Sequence, residues 1–168
     1  MEYKLRPWKI SDLDSLVKYA DNWEISKYLT DKFPYPYTKE SGVKFIEFAS
    51  SAKPIHIFAI EIQGEAYGGI GIHPQDDIQI KNAELGYWLA EPFWGNGIVT
   101  KAIKEMINFG FTTFKINRIF ARTFGSNIGS QRVLEKNGFV LEGKFENTIW
   151  KKDRYEDELI YAVRRDER

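Results

Sequence analysis

Between Tyr87 and Thr100 the chain reads Tyr-Trp-Leu-Ala-Glu-Pro-Phe-Trp-Gly-Asn-Gly-Ile-Val-Thr. The order fits a strand, a short turn with two glycines and the start of a helix. Such a turn gathers unpaired backbone N–H groups at the positive end of a helix, so its natural chemistry is anion binding, phosphate above all. Two nucleotide motifs fail here. An ATP loop starting at Gly95 requires Gly-Lys from position 100, where Thr100 stands. A dinucleotide fingerprint requires its third glycine at the same place and an acid at the end of the next strand, which instead ends Phe120-Ala121-Arg122. An NADP-binding oxidoreductase could use Arg122, but the missing glycine and the antiparallel pattern upstream disfavour it. The glycines alone leave a phosphate cradle and a plain strand–helix turn both open.

The elements that must hold this turn follow from hydrophobic period and punctuation. Ser11 is expected to cap a helix carrying Leu13, Leu16, Val17 and Ala20, and residues 23–29 a second short helix. Pro34 and Pro36 keep the Phe33–Tyr37 segment out of a helix. Thr38 caps a helix to about Ser50, with Val43, Phe45 and Ile46 inward. Residues 55–62 and 66–72 form a hairpin about Gln63-Gly64. Ile78-Gln79-Ile80 begins a further strand, followed by one over 83–89. The strongest helix runs from Ile98 to about Phe114. A strand over 118–123 leads to a helix capped by Ser126 or Asn127 and closed by Gly138. Strands over 139–143 and 155–163 end the chain, with a solvated tail from Arg164. The pattern predicts a mixed α/β fold: one mixed, mostly antiparallel twisted sheet flanked by helices, in a single domain over 1–168.

Composition narrows the chemistry. Lysine plus arginine equals aspartate plus glutamate, 24 each, so no global basic footprint points to nucleic acid or an anionic membrane. There is no cysteine, which removes disulfides, thiolate metal sites and thiol nucleophiles. His56 and His73 stand apart, and no metal is expected. Without an apolar leader or a run of about 18 apolar residues, a cytoplasmic location is expected.

Three segments together carry a resemblance: Ala83-Glu84-Leu85-Gly86-Tyr87-Trp88-Leu89, Trp94-Gly95-Asn96-Gly97-Ile98-Val99-Thr100, and the run from Asn127 to Phe139 with Glu135-Lys136-Asn137-Gly138-Phe139 at its end. In order and spacing they resemble the GNAT acetyltransferase superfamily, and within it the ribosomal-protein N-terminal acetyltransferase (RimJ/RimL-like) branch. Leu5-Arg6-Pro7-Trp8, the Phe33–Tyr37 loop and Tyr155-Glu156-Asp157-Glu158-Leu159 fit the same branch. The resemblance implies the GNAT-like acyl-CoA N-acyltransferase fold and acetyl-CoA as co-substrate. It implies that the pyrophosphate lies on the N–H groups of Gly95, Asn96, Gly97, Ile98, Val99 and Thr100, and that the pantetheine arm pairs with backbone near Trp88 and Leu89. Asn127 resembles the asparagine that contacts the arm; a helix cap is its other role. Trp94 and Val99 replace the arginine or glutamine and the small residue usual at the two ends of the superfamily loop. Leu134 stands where many members carry a tyrosine acid.

Acetylating an amine requires a neutral nitrogen, a route for its proton and stabilisation of the oxyanion. With no cysteine, direct attack on the thioester in a ternary complex is expected; no nucleophile elbow supports a serine intermediate. Alternation puts Glu84, Gly86 and Trp88 on one strand face. Glu84 is the first candidate base, weighed against a structural ion pair, with Asp157 and Glu158 in reserve. Ser130 is the candidate donor to the departing thiolate, weighed against an ordinary position in the first helical turn. Arg132 either reaches a cofactor phosphate or is a solvated helix residue. His56 and His73 are read as ordinary strand and turn residues. The Phe33–Tyr37 loop either lines the acceptor pocket, where aromatics could hold an amine, or packs as a lid. The acceptor is a primary amine, of a protein N-terminus or a small molecule, and the chain a monomer or homodimer. A catalytically silent acyl-CoA-binding module of the same fold is the alternative.

Overall fold

The computed structural model of the protein describes residues 1–166. Seven strands form one sheet in the order β1-β2-β3-β4-β5-β7-β6: β1 (Lys4–Pro7), β2 (Ile57–Ile62), β3 (Glu65–Pro74), β4 (Asn82–Leu89), β5 (Arg118–Phe124), β6 (Val140–Lys151) and β7 (Arg154–Arg164). Of the pairings with a defined register, only β4–β5 is parallel. The helices are α1 (Leu13–Ala20), α2 (Trp23–Ser26), α3 (Lys39–Ser51), α4 (Ile98–Thr113) and α5 (Ile128–Lys136). The chain divides into two compact units: Met1–Gly71 with Tyr87–Val99, and Ile72–Gly86 with the chain from Thr100 on.

In the first unit the hairpin turns through Gln63 at φ 51° and Gly64 at φ 85°, the doubly left-handed turn that suits two twisted antiparallel strands. Trp8, Leu16, Ala20, Tyr37, Ile46, Ala49, Ile57 and Trp88 form its core. Phe45 turns inward as expected and meets Trp8 edge-on at 5.3 Å. Thr38 caps α3, its hydroxyl accepting from the Ser41 N–H at 3.2 Å. Ser11 does not cap α1. It lies in a 3-10 turn over Ile10–Asp12, and the cap position falls to Asp12. The Asp12 carboxylate is already taken by the Arg6 guanidinium and by the Lys9 N–H. The second helix ends at Ser26, three residues short of expectation, and the chain continues in turns.

In the second unit α4 lies on the sheet face that carries Ile72 and Ile119. A Cβ on Gly110 would sit 3.1 Å from Ile119 and 3.5 Å from Ile72, so glycine permits this close packing. Asn127 caps α5 by accepting from the Ser130 N–H at 3.2 Å, and Gly138 closes it at φ 81°. Ile78-Gln79-Ile80 is not a strand. Asp77 takes φ 49°, residues 77–79 make a 3-10 turn, and Ile78 and Ile80 are exposed. β6 runs well past its expected end, because register shifts near Gly143 and beyond Phe145, with Asn147 at φ 54°, interrupt the alternation that would reveal it. The tail is tethered where described: Arg164 bridges to Glu142 at 3.0 Å, and the Arg165 N–H donates to the Asn117 carbonyl at 2.9 Å. Its last two residues lie outside the described ones.

Candidate functional site

The turn after β4 is shaped by its own backbone and side chains. Gly95 and Gly97 adopt φ 76° and 73°, which side-chain-bearing residues rarely take, and a Cβ on either would meet nothing within 4 Å. Both are therefore required by conformation, and the space before them is open. Asn96 closes the turn by donating to the carbonyls of Phe93 at 3.1 Å and Trp94 at 3.2 Å. Ile98 is 1% exposed and anchors the first turn of α4, whose leading N–H groups have no partners within the helix. Further on, the Asn137 amide donates to the carbonyls of Thr100 at 3.1 Å and Val133 at 2.8 Å, tying α4 to α5.

Two tryptophans of the expected cofactor set have structural work. The Trp88 indole is 8% exposed and packs against Phe33 at 5.7 Å. Trp94 donates its indole N–H to the Leu89 carbonyl at 2.7 Å. That contact makes use of the tryptophan in place of a polar first residue: it fastens the turn to the end of β4. It also takes one of the backbone groups expected to receive the pantetheine arm.

β4 and β5 pair at three positions, Asn82↔Arg118, Ala83↔Ile119 and Glu84↔Phe120. β5 goes on to Phe124, paired there with Glu158 of β7. Glu84 is thus the last β4 residue in that register. Arg122 Nε stands 3.6 Å from Glu84 Oε1, with the Glu84 side chain 34% exposed and that of Arg122 53%. Arg122 leans on the Phe120 ring, 5.7 Å from its centroid. Burial pushes the Glu84 carboxyl above the usual carboxylate range; Arg122 pulls it back, and the Glu158 charge raises it again. Burial that disfavours its charged form makes this carboxyl a candidate proton acceptor.

The other expected residues separate. Asn127 and Ser130 meet through the cap, with Ser130 half-buried, while Arg132 is exposed on α5. Leu134, in the tyrosine position, is fully buried core. Asp157 is engaged by the Asn147 N–H at 2.9 Å and by Lys144 at 3.8 Å, a structural role at the β6–β7 hairpin. The aromatic loop divides: Tyr37 is buried and Phe33 packs on it at 5.1 Å, whereas Tyr35 is exposed and leans on Trp23 at 5.5 Å. Trp23 and Tyr35 line an open cleft of about 680 Å³ with Asp21, Asn22 and Glu91. Arg122 was the residue that sequence reasoning missed beside Glu84. Its place follows from the parallel register, which sets Phe120 opposite Glu84 and so puts Arg122 on the same face. Among the described residues no group of His, Asp and Glu could hold a metal, and no helix is long and apolar enough to cross a membrane.

A strand leading into a glycine turn and a helix, with a parallel strand pair that stops early beside a raised carboxyl, is the form of an anion-binding site next to a candidate proton acceptor. The chain belongs to the acetyltransferase (GNAT) domain family, whose pattern matches residues 3–140. It is 31% identical over 106 residues to the ribosomal-protein-serine acetyltransferase of Escherichia coli, covering 63% of this chain and 59% of that protein. That relative supports the RimJ/RimL-like placement. With the uncharacterized N-acetyltransferase p20 of Bacillus licheniformis it shares 28% over 165 residues, 95% of this chain and 90% of that one. The matches span about half the length of several curated relatives from Bacillus subtilis. Among solved structures, RimL in complex with coenzyme A, a ribosomal L7/L12 alpha-N-protein acetyltransferase, superposes with a TM-score of 0.84. It is 24% identical, covers 96% of this chain and 93% of its own, and supports the fold.

Proposed function

We propose that the chain transfers an acetyl group from acetyl-CoA to a primary amine by direct attack within a ternary complex. The observation that carries this reading is the open Gly95-Asn96-Gly97 turn at the head of α4, in a chain of this family. The pyrophosphate lies on the N–H groups of Gly95 to Thr100, where close approach is unobstructed and the helix dipole favours negative charge. The β3–β4 hydrogen bonds from Gln75 N–H to the Asn82 carbonyl and from Ala90 N–H to the Tyr67 carbonyl point even-numbered β4 backbone groups at β3. Odd-numbered groups point the other way. Trp94 holds the Leu89 carbonyl, so the Leu89 N–H is the partner left there for the pantetheine arm. Asn127 keeps its cap and offers its amide to the arm; Arg132 is free to swing toward a cofactor phosphate.

Glu84 takes the first proton from the acceptor ammonium, the amine attacks the thioester carbonyl and the C–S bond breaks; the second proton, which the nitrogen sheds on becoming an amide, passes through the Ser130 hydroxyl to the thiolate, leaving Ser130 unchanged. The resemblance to a ribosomal-protein-serine acetyltransferase makes a peptide N-terminus the first acceptor to try, and small amines the second. The family match runs through segments of both units, which supports one domain over the chain; a cytoplasmic location belongs to the same reading. The test is release of free CoA from acetyl-CoA in the presence of a panel of peptides and small amines. Amine-dependent release is expected. Tight acetyl-CoA binding without release by any amine would make the chain a silent binding module instead.

A further inference from the structure

The Glu84 carboxyl is half-buried, so a proton it accepts must go somewhere before the next turnover. The strand pairing sets one imidazole on the same face. Gln75 N–H donates to the Asn82 carbonyl at 2.9 Å, which makes residues 75 and 82 a hydrogen-bonded antiparallel pair. At the far end of the same ladder Ala90 N–H donates to the Tyr67 carbonyl at 2.7 Å, making 67 and 90 another such pair. The two pairs share one register, and stepping two residues from the first sets His73 opposite Glu84. Directly opposed residues point to the same face, with Cα atoms about 5.5 Å apart in such a pair. The next pair on that face is Gly71 with Gly86, and a Cβ on Gly86 would lie 3.8 Å from His73 Nε2. The imidazole therefore lies along the strip of sheet that Glu84 occupies. Glycine at 86 keeps that strip clear.

The charged groups along this strip come from four strands. β3 gives His73, β4 gives Glu84, β5 gives Arg122 at 3.6 Å from Glu84, and β7 gives Glu158, whose charge acts on Glu84. α4 lies on the opposite face, over Ile72 and Ile119. His73 itself is half-buried, so its ring is reachable by water.

We propose that His73 is the relay partner of Glu84: its neutral imidazole receives the proton that Glu84 has taken from the acceptor ammonium and releases it to solvent. This rests on Glu84 being the base. The steps balance. The ammonium loses a proton to the carboxylate, and the resulting amine forms the amide bond as the thioester C–S bond breaks. The carboxylic acid then passes its proton to the imidazole, and the imidazolium passes it to water. The thiolate takes the second proton, which the nitrogen sheds on becoming an amide, by way of the Ser130 hydroxyl. Imidazole chemistry suits this step, since one ring nitrogen can accept a proton while the other gives one up.

The experiment compares the full chain with His73→Ala, His73→Asn and Glu84→Gln, using saturating acetyl-CoA and an acceptor amine that the wild type turns over. His73→Ala is expected to lower kcat on the order of a hundredfold, the low end of general acid–base contributions. Acetyl-CoA affinity and thermal midpoint should stay near wild type. Free imidazole should restore the His73→Ala rate in proportion to its neutral fraction, an effect that a packing role cannot produce. His73→Asn, which keeps polarity but cannot take up a proton, should fall with His73→Ala. A wild-type kcat in His73→Ala, or a loss that imidazole leaves unchanged, overturns the relay. The base assignment stands apart: it fails if Glu84→Gln keeps wild-type activity, whatever His73 does.

Discussion

Two charged clusters in this molecule use the same residue types to opposite ends. In the first unit Arg6 grips Asp12 through two nitrogens, at 2.7 and 2.8 Å, and also bonds Glu61. Its side chain is 14% exposed and that of Asp12 6%. Hydrogen bonds from Arg6, then Lys4, hold the Glu61 carboxyl below its ordinary range. In the second unit Glu84 has one distant cation at 3.6 Å, a neighbouring anion in Glu158, and a carboxyl pushed upward by burial. A satisfied acid is a fastening, because ionisation is already stabilised by fixed donors. An under-compensated acid is a candidate reagent, because burial disfavours its charged form.

The strongest way to break this contrast uses the turn, which is proposed to bind a negatively charged group and carries no charged side chain from Trp94 to Thr100. Gly97→Glu puts a like charge and a side chain where φ is 73°. Acetyl-CoA affinity, read by calorimetry, should fall by about a hundredfold or more, given strain and like-charge costs of several kcal/mol. Retained affinity would remove the pyrophosphate from the turn.

Arg6→Ala comes next and should act on stability alone. Leaving Asp12 buried without its cation costs about 3 kcal/mol in urea unfolding. At permissive temperature kcat should hold. The sign with pH follows from Glu61: its folded value is lowered, so its contribution is present above the ordinary carboxylate range and is lost as pH falls through the folded value. Arg6→Ala should therefore flatten the acid side of the stability curve. If activity fell in parallel at every temperature, the division of labour would be wrong.

Asn137→Ala should cost about 1–2 kcal/mol in stability, from two carbonyls left without their donor. Arg122→Gln is the smallest change and the finest probe. It removes a partly exposed cation, so kcat at neutral pH should drop no more than about fivefold, the span of an exposed ion pair. Because Arg122 favours the charged carboxylate, its loss raises the Glu84 carboxyl further, and the acid limb of the rate profile should move to higher pH. A limb that stays in place would separate Arg122 from the base.

The elements holding the turn were legible because local chemistry fixed them: Thr38 and Asn127 as caps, Gln63-Gly64 as a hairpin, Gly138 as a helix stop. Misreadings arose where apolar spacing or a capping residue type was not enough. Ser11 lost its cap position to Asp12, whose carboxylate Arg6 holds from six residues upstream, and Ile78 and Ile80 looked like a strand yet are exposed on a 3-10 turn. β6 was cut short because its bulges break the period of two. Within the site, Glu84 followed from alternation and the turn from its glycines. Arg122, His73 and the Trp94 bond to Leu89 depend on strand register or on a side chain folding back, which no local pattern reveals.

The central claim is that Glu84 is the under-compensated acid that takes the acceptor's proton. Its direct test is the pH profile of kcat for the wild type and Glu84→Gln, at saturating acetyl-CoA and acceptor, with the acetyl-CoA dissociation constant measured alongside. The account predicts a fall on the order of a hundredfold or more, loss of the acid limb that lies above the ordinary carboxylate range, and a dissociation constant close to wild type. A Glu84→Gln enzyme with wild-type kcat and an unchanged limb would contradict it.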